Sequence, residues 1–158
     1  MSERTRYQIF DEPAPTGLNA FVVNPNFPLL CVMLGGAWAA LPWFCVNALA
    51  LGSPTARQEI ALAAGAALGA AALTLLLLWA EERGIVPAAA MPYLLLINVA
   101  WKLGAGYLLH TLQSRTFHLY EYYGGQVRNG WPVLMAAIFL RGVVAGAFHH
   151  PLWTALVG

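Results

Sequence analysis

Four stretches of this chain, 28–49, 59–80, 91–112 and 131–150, are almost free of charge and close to the length a bilayer demands. A hydrocarbon core about 30 Å thick takes roughly 20 apolar residues in helical form. Backbone polar groups find no partners in lipid, so such runs are required to be helices. The expected fold is an all-α integral membrane protein. Four transmembrane helices form two helical hairpins with short loops over 27–158, after a polar N-terminal arm at 1–26. Composition agrees. The 158 residues are 59% hydrophobic and 9% charged, against about 25% charged in soluble domains. The net charge of +1 excludes a nucleic-acid binder, because phosphate is held by dense Lys/Arg contacts.

The connections fit these limits. Ser53 and Pro54 suit a cap and a first helical position, and Glu81-Glu82-Arg83-Gly84 suits a helix end. Arg4, Arg6, Asp11, Glu12, Pro13 and Pro15 do not make a cleavable signal peptide, so the arm is expected to be retained. Trp79, Trp131 and Trp153 sit where an interfacial belt is expected. Four spans put both termini on one side. The arm and second loop carry Arg4, Arg6 and Arg83, and the first and third loops carry Arg57, Arg115 and Arg128. The positive-inside rule is therefore tied. A cytoplasmic arm, which need not be translocated, is the expectation. The Ala- and Leu-rich wording of 63–78 suits a bacterial inner membrane.

Cys31 and Cys45 both fall in the first run. On one straight helix they would stand roughly 21 Å apart, beyond the reach of a disulfide, so they read as packing residues. Small residues recur at four-residue steps, Ala61-Gly65-Gly69 and Gly142-Gly146, the pattern that lets membrane helices approach closely. Packing within one chain is expected, with a homo-oligomer as the alternative. Ala37-Trp38 and Ala100-Trp101 each precede a polar residue by the same interval, a two-position echo that chance supplies.

Lys102 and Arg141 are the least ordinary residues. A cation costs about 2.5–3.5 kcal/mol at the centre of a span. Each lies about ten residues from the third loop, hence roughly 15 Å below one surface. Asn98 shares a face with Lys102, and together the three form an intramembrane polar layer. All acidic residues fall in the arm, in loops or at helix ends, which disfavours proton relays and cation transport. Two readings of the layer stand open. It holds an anion or a lipid headgroup, or its cations are structural, one satisfying the Trp38 carbonyl that Pro42 leaves without a donor.

The third loop, 113–130, is rich in aromatic and basic residues. Arg115, Phe117, His118, Tyr120, Tyr122, Tyr123 and Arg128 suit either a segment lying among lipid headgroups or a partner-binding surface. His149-His150 lie at the opposite end from His110 and His118. No converging ligand set follows, so neither a metal site nor another cofactor is expected. Cys-x-x-Cys and intramembrane Ser–His or Asp–Asp pairs are absent, which removes thiol–quinone chemistry and intramembrane proteolysis.

The run GGAWAALPWFCVNALALGSPT resembles small bacterial membrane proteins, a likeness that implies no particular activity. Elimination leaves a non-enzymatic membrane protein that acts by protein–protein binding, as an accessory subunit or an immunity-type protein against a membrane-active toxin. Its partners would be membrane lipids and another membrane or secreted protein. The rival is a small oligomeric transporter or channel for anions or lipids built on Lys102 and Arg141.

Overall fold

Helices dominate the computed structural model, which describes residues 17–147 and Trp153. Among residues 17–147 five α-helices follow in order: α1 (Asn26–Leu34), α2 (Ala37–Ala50), α3 (Ala56–Glu82), α4 (Met91–Tyr122) and α5 (Trp131–Gly146). Short 3-10 turns at Asn19–Phe21 and Ala88–Ala90 precede α1 and α4. There is no strand among the described residues, only an isolated bridge between Val23 and Arg128. Two helical stretches, Ala56–Glu82 and Ala88–Tyr122, are long and apolar enough to cross a membrane. The arm before Gly17 and His149-His150 lie outside the described residues.

The first apolar run departs from expectation. It is not one helix from 28 to 49 but two, broken at Gly35-Gly36. Gly36 takes φ 95°, a left-handed value that costs a residue with a Cβ and suits glycine. The chain then turns back on itself. The Val23 amide donates to Asn47 Oδ1 at 3.0 Å. On a straight helix these residues would stand roughly 36 Å apart, so α1 and α2 form an antiparallel hairpin whose two ends lie together.

That junction defines one end of the bundle, the proximal end. Asn47 Nδ2 donates to Gln113 Oε1 at 2.9 Å, and Gln113 Nε2 donates to the Phe44 carbonyl at 2.7 Å. Both side chains are fully buried, and pairing buried amides with one another avoids a cost of about 1–3 kcal/mol for each group left unsatisfied. Val22, Ala50, Leu51 and Phe117 pack beside this network as a small core of their own. The Arg128 amide donates to the Val22 carbonyl at 2.7 Å, which brings the α4–α5 connection to the same end. From there α3 runs away to the distal end at Glu82, and α4 returns.

Packing follows from side-chain size. The buried stripe of α3 is Ala63, Ala66, Ala70 and Thr74, one turn apart and small enough for α4 to approach closely. The expected small-residue faces are largely elsewhere. Gly65, Gly142 and Gly146 face open space, and only Gly69 is used, with the Trp101 indole lying across it. α1 sits between α4 and α5, and α2 between α3 and α4. The two-position echo does not become a repeat. Trp38 donates to Gly35 within the hairpin turn, whereas Trp101 donates across to Ala66 of α3.

The surface is inverted relative to a water-soluble bundle. Leu68, Leu76, Ile97, Phe139 and Val143 are exposed, while Asn47, Glu59, Thr74, Asn98, Lys102 and Gln113 are buried. Large contiguous apolar surface on a monomer marks contact with lipid or another apolar partner.

Candidate functional site

The polar layer converges on the inner turn of the hairpin. Arg141, ten residues into α5, donates from Nη1 to the carbonyl of Leu34, the last residue of α1, at 3.3 Å. A helix C-terminus carries partial negative charge and carbonyls without helical partners, so a guanidinium there answers both needs. A cation does satisfy a carbonyl of the broken run, as one reading supposed, but that carbonyl is Leu34's.

Lys102 reaches the same depth from α4. It is 5% exposed, engages a polar or electrostatic partner, and is close enough to Arg141 for the two like charges to interact. Asn98, one turn away, is buried and donates from Nδ2 to the Ala70 carbonyl at 3.2 Å and to Thr74 Oγ1 at 2.7 Å. Thr74 in turn donates to the Ala70 carbonyl at 2.9 Å. Asn98 thus ties α4 to α3 and fixes the rotation that presents Lys102. Its Oδ1 has no hydrogen-bond partner among the described residues.

Beside Lys102 lies a cleft of about 470 Å³ between α2, α3 and α4. Its wall is apolar, with Trp38, Leu41, Ala63, Ala67 and Trp153 among its lining, and Lys102 supplies the charge. Pro42 and Ala64 also line it and are exposed, so the cleft opens on the outer surface. Ala37, the first residue of α2, lines it as well. The positive end of the α2 dipole therefore adds to the Lys102 charge at that point.

A second buried cluster escaped sequence reasoning. Glu59, expected as a helix-end residue, is 1% exposed. Its Oε1 accepts from Ser53 Oγ at 2.5 Å and from Thr55 Oγ1 at 2.7 Å, while Oε2 has no partner among the described residues. Thr55, not Ser53, holds the N-cap position of α3, and neither hydroxyl caps a backbone amide of that helix. The carboxylate has diverted both. Ser53 and Thr55, six and four residues before Glu59, were the available signal.

The 113–130 segment is half helix. α4 continues through Tyr122, and the polypeptide loosens only beyond it. Phe117 is buried in the proximal core, and Tyr120 packs against it. Arg115, His118, Tyr122, Tyr123 and Arg128 are exposed, and the Tyr122 and Tyr123 rings meet edge to face at 5.6 Å. His110 Nε2 donates to Asn26 Oδ1 at 2.8 Å and so pins the start of α1 to α4. No cluster of three metal-ligating side chains occurs among the described residues, and Cys31 and Cys45 are free thiols.

Comparison with known proteins finds no matching family model, no matching curated protein and no matching solved structure.

Proposed function

We propose that this chain is a multi-pass protein of a bacterial inner membrane that carries an anion, or the anionic head of a lipid, past the middle of the bilayer at Lys102. α3 and α4 are its full crossings, and α5 enters beside them from the proximal end. The α1–α2 hairpin enters and leaves at the proximal end. The described arginines support one orientation of this arrangement. Arg57, Arg115 and Arg128 are proximal, and Arg83 alone among the described arginines is distal, so the positive-inside rule puts the proximal end in the cytoplasm.

One observation carries the reading: Lys102 lines an otherwise apolar, outward-opening cleft at the depth where a helix is broken. Broken helices inside membranes are tolerated where they line a cavity, and their ends hold charged cargo in transporters. An ionisable residue inside a membrane is a functional-site candidate by default, and Lys102, unlike Arg141, lines a cleft. Transfer of an anionic head between leaflets meets its highest barrier at that depth, and a fixed cation lowers it. The test is flux in proteoliposomes, with a labelled anionic lipid and a small inorganic anion as parallel cargoes. Lys102→Met is expected to abolish whichever flux the parent shows. No flux of either cargo in the parent would overturn the reading.

A second reading, recognition of a protein partner, is favoured by the exposed Tyr122 and Tyr123 at the cytoplasmic end of α4. Exposed tyrosines beside Arg115 and Arg128 have the composition of interaction hot spots. Loss of a co-purifying membrane protein from Tyr122→Ala/Tyr123→Ala, with the fold intact, is its test.

A further inference from the structure

The shape and chemistry of the cleft narrow the cargo, resting on the reading of Lys102 as its charge site. On α2 the lining runs from Ala37 to Cys45, and on α3 from Ile60 to Ala70. At 1.5 Å per residue these are about 12 and 15 Å of helix. The hydrocarbon of one leaflet is half of about 30 Å, so the cleft is one acyl chain long. Its α3 wall is built from alanines, whose short side chains leave a channel along the helix rather than a rounded pocket. Its volume, about 470 Å³, is in the range of sites that enclose a single small ligand.

Among the described lining residues the one charged side chain is Lys102, which stands with Ala37 at the deep end. Cys45 and Ile60 lie at the proximal end, where the buried Glu59 carboxylate acts on Cys45. No Asp or Glu is among the described lining residues, so the charge the lining itself offers suits an anionic head at the deep end. We infer that the cleft binds a single-chain carboxylate amphiphile, a long-chain fatty acid, with its carboxylate at Lys102 and its chain along the alanine wall of α3 towards the proximal surface. A two-chain lipid would leave one tail outside.

The experiment uses the full chain in phosphatidylcholine vesicles and reads tryptophan quenching by three brominated probes: dibromostearic acid, its methyl ester and a dibrominated phosphatidylglycerol. Trp38 and Trp153 line the cleft, so bromine on a bound chain lies beside them. Dibromostearic acid is expected to quench at roughly tenfold lower concentration than the ester, a preference of about 1.4 kcal/mol. Trp38→Phe should lose much of that saturable quenching. Lys102→Met should remove the preference for the acid, and Lys102→Arg should restore most of it, which separates charge from folding.

Equal quenching by acid and ester overturns the carboxylate assignment. Stronger quenching by the two-chain phosphatidylglycerol overturns the single-chain assignment and leaves the lipid reading of Lys102 standing. Quenching by none of the three, together with Lys102-dependent flux of the inorganic anion, overturns this inference and keeps the transport reading. Quenching by none and no flux removes both.

Discussion

Val23 and Asn47 lie twenty-four positions apart and are joined by a 3.0 Å hydrogen bond from the Val23 amide to the Asn47 carboxamide. The bond converts an apolar run of membrane-spanning length into a hairpin. Asn47 then passes the connection on to Gln113 of α4, so Val23 before α1, the end of α2 and the proximal part of α4 are secured at a single point.

The hairpin makes a sharp statement about topology. On a background with Cys31→Ala and Cys45→Ala, single cysteines at Asn19, Pro54 and Gln126 should react with a membrane-impermeant thiol reagent from the same side. A cysteine at Arg83 should react from the other. A straight first span would instead place Asn19 and Pro54 in opposite compartments, and that result would remove the hairpin.

Asn47 and Gln113 should behave as a unit. Asn47→Ala or Gln113→Ala alone leaves a buried amide unsatisfied, a loss of about 1–3 kcal/mol each in detergent-titrated unfolding. The double variant should cost clearly less than the sum of the two, because partners within one network couple. Strict additivity would mean that the two side chains do not meet.

Helical class was legible in the sequence; the path of the chain was not. Run lengths and the absence of charge require helices. The break at Gly35-Gly36 was written in the sequence too. Its meaning depends on Val23 finding Asn47, a contact that no local pattern announces. Glu59 was hidden for a related reason. Its position near a helix start suggested solvent, and its burial depends on the Ser53-to-Thr55 turn folding over it. In the 113–130 segment composition spoke of surface, but helical phase put Phe117 inside and Tyr122 outside.

The glycines divide by what surrounds them. A Cβ at Gly69 would lie 2.6 Å from the Trp101 ring, so Gly69→Ala must displace the indole and should cost about 1–3 kcal/mol. A Cβ at Gly65 meets nothing within 4 Å, and Gly65→Ala should fall within about 0.5 kcal/mol of the parent. Gly36→Ala forces a φ of 95° on alanine, at about 1–3 kcal/mol. Equal stability of Gly65→Ala and Gly69→Ala would mean that Trp101 does not cross α3 there.

Lys102 and Arg141 should separate under the same substitution. Arg141→Met removes the donor to the Leu34 carbonyl and leaves the end of α1 without it, at a cost of about 1–3 kcal/mol for a polar group left unsatisfied. Arg141→Lys should recover part of this, since a single ammonium can still face the helix terminus but loses the planar fork of donors. Lys102→Met deletes a cation 95% withdrawn from the surface and keeps an apolar chain of similar length. It forfeits the partner that Lys102 engages, yet it relieves part of an insertion cost of about 2.5–3.5 kcal/mol and the repulsion from Arg141. The balance predicts that Lys102→Met is at least as stable as the parent and Arg141→Met is less stable, while transport is lost with Lys102. Detergent-titrated unfolding of both variants beside the flux assay reads all three quantities. A reversed order, with Lys102→Met the weaker fold, would make Lys102 the structural cation and move the search for the anion site to Arg141.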